Sequence, residues 1–160
     1  MNRHLRWPLF LVLISLGISS CGDSNDSDDS ITGPGFQSGD GRIYPVDQVT
    51  FPTIDDVQIG ALFAAVDEAT KRPTVILIHE LGTGKEEWLQ NTSLFLDLLE
   101  NDYNVLALDW RGHGQTALPG GRVQIALEDL ENSYLDVSAA ISWLQTRPEV
   151  DASKVAVIGD

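Results

Sequence analysis

Cysteine is nearly absent: Cys21 is the single one in 160 residues, so no disulfide can form within the chain. Basic residues are scarce as well. Ten Lys and Arg stand against 24 Asp and Glu, for a formal net charge of -14 at pH 7. Arg3 and Arg6 both precede Cys21 and no acid does, so the remainder carries 8 basic against 24 acidic residues. Such a surface repels nucleic-acid phosphates and anionic lipid headgroups, which argues against a nucleic-acid partner and fits a well-solvated exterior. Long hydrophobic runs are missing too, and none reaches the roughly 18 residues that mark a bilayer-spanning helix. The 42% hydrophobic content is ordinary for a globular protein, and the length allows about one domain.

The longest uncharged apolar run is Trp7 to Gly17, behind a short basic start of Arg3, His4 and Arg6. At about eleven residues it is too short to span a bilayer comfortably and has the pattern of a secretory signal. It ends in Ile18-Ser19-Ser20-Cys21, which resembles a bacterial lipobox. The resemblance implies cleavage before Cys21 and a lipid on its sulfur; an ordinary signal peptide with an incidental cysteine is the other reading. Acyl carbons contribute about 0.8 kcal/mol per buried methylene, and more than one chain gives a stable anchor. The expected location is the bacterial cell envelope, on the periplasmic or cell-surface side, with Gly22 after the cysteine favouring the outer membrane. Residues 1–20 are then the signal and 21–41 an acidic, Ser- and Gly-rich tether. Gly22 to Ser30 holds no apolar residue, and nothing there can bury enough surface to offset the entropy of ordering.

Residues 42–160 alternate strand and helix patterns. Ile43 to Phe51 and Gln58 to Val66 read as two early strands around the turn Thr53-Ile54-Asp55-Asp56. After Lys71-Arg72-Pro73, Thr74 to Ile78 is a continuous apolar run of the kind buried on both sheet faces. A helix carrying Trp88, Phe95, Leu98 and Leu99 follows, then a buried strand from Asn104 to Leu108. Leu127, Leu130, Tyr134, Val137, Ile141 and Leu144 recur at steps of three and four, which predicts an amphipathic helix with those side chains inward. Pro148 closes it, Asp151-Ala152-Ser153 turns the chain, and Val155 to Ile158 is a third buried strand. The alternation implies a parallel sheet with helical crossovers.

Three strand ends carry the candidate chemistry, because open parallel sheets bind ligands beyond their carboxyl ends. The first is His79-Glu80-Leu81-Gly82-Thr83-Gly84. A dinucleotide fingerprint needs a further glycine at position 87, which is Glu, and a phosphate-binding P-loop needs glycine where His79 stands and Ser or Thr where Glu86 stands. Glu80, Glu86 and Glu87 also make a poor cradle for phosphate. The second end is Asp109-Trp110-Arg111-Gly112-His113-Gly114. The third is Val155-Ala156-Val157-Ile158-Gly159-Asp160.

In that order the three resemble the α/β-hydrolase fold: a strand ending in an oxyanion loop, a strand ending in Asp-x-Arg-Gly-x-Gly, and a strand entering the Gly-x-Ser-x-Gly elbow. The resemblance covers about Val49 to Asp160 and implies the N-terminal half of such a fold. Gly159 matches the first elbow glycine and Asp160 the variable position, which puts the nucleophile at 161 and the acid and histidine after it. Asp160 itself stands one residue short of the nucleophile position. The Leu81 N–H is, by position, one donor of the oxyanion hole. Glu80 stands where most relatives have glycine and should point away from the oxyanion. His79-Glu80 looks like the dienelactone-hydrolase branch, in which this Glu touches the resting nucleophile, Ser or Cys. His79, Glu80 and Gly82 then form the loop beside the site. His79 and His113 are expected to tie loops to backbone, Asp109 to pin its own loop, and Asp136 to be a helix-surface acid.

The resemblance implies a lipid-anchored hydrolase of ester, amide or related acyl bonds, acting on a small-molecule or peptide substrate through an acyl-enzyme. It implies no metal and no organic cofactor, and it leaves residues 1–160 inactive by themselves. The rival readings are a non-catalytic lipoprotein that keeps the fold as a binding module, and a truncated sequence without function.

Overall fold

Side chains of a strand alternate between faces, so a strand covered on both sides must be apolar at every position. That requirement picks out the centre of this chain. The computed structural model describes residues 35–160; the segment expected to be a signal, Cys21 and most of the expected tether lie outside the described residues. In chain order the elements are β1 (Phe36–Gln37), β2 (Ile43–Tyr44), β3 (Asp47–Pro52), β4 (Gln58–Ala64), β5 (Arg72–Ile78), α1 (Glu87–Gln90), α2 (Leu94–Glu100), β6 (Asn104–Leu108), α3 (Leu127–Glu131), α4 (Tyr134–Leu144) and β7 (Val150–Gly159). Phe36–Gln37, ahead of Arg42, pairs with β2 in a small hairpin.

Five strands form the main sheet in the order β3-β4-β6-β5-β7. β6, β5 and β7 run parallel and adjacent, while β3 and β4 join as an antiparallel hairpin whose second strand pairs with β6. One face packs Val75, Leu77, Val105 and Ala107 against Trp88, Phe95 and Leu99 of α1 and α2. The other packs Ile76, Leu106 and Leu108 against Ala140 and Leu144 of α4, with Trp143 stacked on Phe51 and edge-on to Phe63. The two crossovers therefore cover opposite faces. The chain leaves β5 for β6 on one side and later adds β7 on the other, which makes the β5–β7 boundary the switch point where such sheets open a crevice.

Several expected elements differ in extent. The strand expected over Ile43 to Phe51 breaks at Pro45, which has no N–H to give the ladder, and the strand from Gln58 ends at Ala64. The first long helix is two short ones: between them the Thr92 hydroxyl donates to the Trp88 carbonyl and accepts the Leu94 N–H, a competition that interrupts helices. The turn at Asp151–Ser153 lies inside β7 as an irregularity, with Val150 opposite Arg72 and Val155 already opposite Thr74. Val155 to Ile158 forms its strand but is not buried; β7 is a sheet edge here, with Val157 47% and Ile158 37% exposed.

The larger correction concerns the second helix. It divides at Asn132-Ser133 into α3 and α4, and only part of the expected inward face is inward: Leu144 is fully buried and Ile141 packs against the core. Leu127 and Tyr134 are 71% and 62% exposed, and Leu130 is exposed as well. The buried positions of α4 are Asp136, Ala140 and Leu144, at steps of four. Asp136 is thus no surface acid. It is fully buried and faces Arg111.

Candidate functional site

The loop leaving β5 is shaped by its own residues. The Thr83 N–H and hydroxyl both donate to the Glu80 carbonyl, at 3.3 and 3.1 Å, closing a turn over Glu80-Leu81-Gly82-Thr83. Gly82 sits at φ +94°, a conformation that glycine adopts without the Cβ penalty. His79 is buried beneath this turn, and its Nδ1 donates to the Glu80 carbonyl at 2.8 Å. Burial pushes the ring below the ordinary imidazole range, against the Glu80 carbonyl and the Asp109 carboxylate. The neutral ring with its proton on Nδ1 leaves Nε2 as a lone pair, 3.8 Å from Asp109 Oδ1 and without a hydrogen-bond partner.

Asp109, at the end of β6, ties the first two loops together. Its Oδ1 accepts the Lys85 N–H at 2.8 Å, and its Oδ2 accepts the Gln115 N–H at 2.8 Å and Lys85 Nζ at 2.6 Å. Lys85 is fully buried, with Glu86 as a second partner at 3.0 Å. A buried ammonium is tolerable only when paired in this way. The carboxylate so fills its corner that a Cβ on Gly114, which has φ +47°, would stand 2.2 Å from Oδ2.

The rest of the second loop is held just as firmly. The Arg111 N–H donates to Asp136 Oδ2 at 2.8 Å, while Nε and one terminal nitrogen reach Oδ1 at 2.9 and 2.7 Å. The outer side of the guanidinium takes Asp55 from the β3–β4 turn at 2.8 Å. Burial opposes the Arg111 charge, but the two carboxylates outweigh it and push the guanidinium above its already high value. Burial also pushes the Asp136 carboxyl up; with three donors from one arginine on its two oxygens, the pair is best described as carboxylate and guanidinium. Asp55 is held below the usual carboxylate range by Arg111. His113 lies against Trp110, ring centroids 4.4 Å apart and nearly parallel, with the His79 ring 5.1 Å away. Its Nε2 accepts the Gly82 N–H at 3.1 Å, and its Nδ1 donates to the Arg111 carbonyl at 3.2 Å.

These loops surround a pocket of about 250 Å³ lined by Ile78, His79, Leu81, Leu108, Trp110, Ser133, Val137 and Asp160. It opens at the carboxyl ends of β5, β6 and β7. Leu81 contributes an exposed side chain, and among the described residues none accepts its N–H. Glu80 is exposed and does not line the pocket. Gly159 ends β7 opposite Ile78, and the Asp160 N–H donates to the Ile78 carbonyl at 3.2 Å. The geometry therefore gathers His79, Leu81 and Asp160 at one opening, and His113 reaches it through Gly82. Cys21 lies outside the described residues. Sequence reasoning missed Lys85, Asp55 and the burial of Asp136. The step of four linking Asp136, Ala140 and Leu144 was the available signal for the last. Among the described residues, no group of three His, Cys, Asp or Glu is arranged to hold a metal ion, and no helix is long and apolar enough to cross a membrane.

No family model matches the sequence, whereas solved structures resemble the fold. The esterase Pf2001 of Pyrococcus furiosus has a TM-score of 0.56 at 25% identity, over 72% of this chain and 42% of its own. Acetyl xylan esterase 1 from Thermoanaerobacterium sp. JW/SL YS485 gives 0.61 at 21% identity, over 83% and 45%. The alpha/beta hydrolase GrgF from Penicillium sp. sh18 gives 0.60 at 20%, over 72% and 37%. The chain thus spans less than half the length of each of these structures. With its mostly parallel sheet between helices, strand order β3-β4-β6-β5-β7, and loops at the carboxyl ends of β5, β6 and β7, the chain has the fold of the N-terminal half of an α/β hydrolase.

Proposed function

We propose that this chain supplies the oxyanion side of an acyl hydrolase acting on ester, amide or related bonds. The reading is supported by the Leu81 N–H. It lies on a turn held from three directions, by His79 beneath, His113 beside and the Asp109–Lys85 pair behind, and no protein group among the described residues takes its hydrogen. Such a fixed donor is what a developing carbonyl oxyanion requires, since it needs no reorganisation when the charge appears. Resemblance to esterases adds weight to the reaction class.

In this mechanism the nucleophile, Ser or Cys, directly follows Asp160, with the acid and histidine later in the chain. It attacks the substrate carbonyl, the oxyanion meets Leu81 N–H and a second donor after the nucleophile, and water later releases the acyl group. Glu80, exposed beside the turn, would contact the resting nucleophile, as in dienelactone-hydrolase-like sites. A lipid on Cys21 would hold the enzyme at the bacterial cell envelope, and the substrate would be a small molecule or peptide outside the cytoplasm.

Two experiments test this reading. The 160-residue chain should turn over p-nitrophenyl acetate no faster than a heat-treated control; clear turnover would refute the placement of the nucleophile. In a protein extending beyond Asp160, Leu81→Pro removes the N–H and should lower kcat by about 10²- to 10³-fold. An unchanged kcat would remove Leu81 from the oxyanion hole.

A further inference from the structure

We propose that His113 is a positioning residue whose ring, held in one tautomer, clasps the turn that carries the Leu81 N–H. The inference rests on the proposed function only in giving Leu81 a catalytic task; the clasp itself follows from the geometry. The Gly82 N–H can only donate, so the Nε2 it meets at 3.1 Å is a lone pair. The proton of the neutral ring then lies on Nδ1, where the Arg111 carbonyl accepts it at 3.2 Å. Both ring bonds exist together only in this neutral tautomer.

Without the Nε2 lone pair the Gly82 N–H has no acceptor on the ring. The Gly82–His113 bond breaks, and the Gly82 N–H must turn to water. The ring is poorly placed to yield, because Trp110 stacks on it and its own backbone N–H is bonded to the Trp110 carbonyl at 3.1 Å. The turn has more freedom. No heavy atom stands within 4 Å of where a Cβ on Gly82 would project, and both Leu81 and Gly82 are exposed. The motion is passed directly to the Leu81–Gly82 peptide and hence to the neighbouring Leu81 N–H.

The charged and titratable neighbours do not supply another acceptor. The His79 ring at the end of β5 is 5.1 Å away and itself neutral. Asp109 lies behind His79 and is bonded to Lys85, and the Arg111 guanidinium is turned into Asp136 of α4 and Asp55. Glu80 is exposed on the turn, and Asp160 at the end of β7 lines the same pocket as His79 and Trp110. None of these carboxylates is hydrogen-bonded to the His113 ring.

The test is the Gly82 amide in ¹H–¹⁵N spectra and hydrogen-exchange series of the ¹⁵N-labelled wild-type chain and two variants at one pH. The wild-type Gly82 amide should exchange more slowly than an open backbone amide, as a bonded N–H does. His113→Gln offers a side-chain oxygen as acceptor and should keep Gly82 near its wild-type position and exchange rate. His113→Phe keeps an aromatic ring for Trp110 but no acceptor, and should shift the Gly82 resonance and speed its exchange while the amides of β5 and β6 stay unchanged. A wild-type Gly82 amide that exchanges as fast as an open one, or one that is unmoved in His113→Phe, overturns the clasp. If either variant fails to fold, the wild-type exchange alone decides. Failure of the hydrolase reading appears separately, as absence of turnover in a longer protein whose Gly82 amide is still protected.

Discussion

Replacing Asp136 by Ala should cost far more than a substitution on the outside of a helix. Asp136 is fully buried and takes three hydrogen bonds from Arg111, which is itself 1% exposed. Removing one partner of a buried pair leaves the other charge without compensation and typically costs about 3–5 kcal/mol. Asp55 softens the loss, but its side chain is 32% exposed and reaches only the outer nitrogens of the guanidinium. It cannot serve the Arg111 Nε or N–H. We therefore expect about 3 kcal/mol or more for Asp136→Ala, against less than about 0.5 kcal/mol for an ordinary surface acid. Equilibrium urea unfolding followed by circular dichroism measures this. With a slope of about 1–3 kcal/mol/M, the midpoint should fall by about 1 M or more, or the variant should be unfolded without denaturant. Ser138→Ala, on the exposed side of the same helix, serves as the control. A loss below about 1 kcal/mol for Asp136→Ala at unchanged slope would show that the pair contributes little and that the burial argument is wrong. Arg111→Met combined with Asp136→Leu should recover most of the loss, since matched apolar side chains often replace a buried pair without penalty.

Three further predictions rest on separate features. Gly114 and Gly120 both have positive φ, but a Cβ at Gly114 would meet the Asp109 carboxylate at 2.2 Å while one at Gly120 meets nothing within 4 Å; Gly120→Ala should cost about 1 kcal/mol for backbone strain and Gly114→Ala distinctly more, and equal thermal shifts would refute the packing argument. His79 is held neutral by burial, so its folded-state pKa lies below the unfolded one; its contribution is complete above about pH 6.5 and declines as pH falls below that, so His79→Gln should flatten the fall in stability between pH 7 and 5, and identical pH profiles would show that His79 contributes nothing to it. At the sheet edge, Val157→Lys should reduce self-association in sedimentation velocity by placing charge on an exposed apolar strand; unchanged association would mean that β7 is not the adhesive surface.

Most of the sheet was legible because its signal is local. A strand buried on both faces cannot hide its composition, and Thr74 to Ile78 and Asn104 to Leu108 lie where their apolar runs put them. The parallel order of β6, β5 and β7 followed from the helical segments between them, because parallel strands need long crossovers. The interruptions at Pro45, Thr92 and Asn132 fall at residues that favour breaks, inside apolar patterns that run past them. The exposure of β7 is a matter of its place in the sheet rather than of its apolar composition. Its composition suits a covered strand, and composition cannot say which strands lie beside it.

The site was less legible because its organisation depends on charge meeting charge across long stretches of chain. Lys85 reaches Asp109 24 residues on, Asp136 lies 25 residues beyond Arg111, and Asp55 lies 56 before it. Hydrophobic periodicity has no means of registering these partnerships. It can be misled by them: Leu127, Leu130 and Tyr134 do recur at helical steps, yet the face they mark is turned outward. The buried pair explains why. Once Arg111 is committed inward by its backbone N–H and side chain to the same carboxylate, α4 must present Asp136 to it, and Ala140 and Leu144 follow one and two turns later on the same side. Hydrophobic burial alone would favour a rotation that covers Tyr134; the cost of leaving Arg111 unpaired in the interior, about 3–5 kcal/mol, exceeds the roughly 1.5–3 kcal/mol gained by burying one large apolar side chain. The rotation of this helix is therefore set by an ion pair, and Ser133 and Val137 line the pocket as a consequence of it.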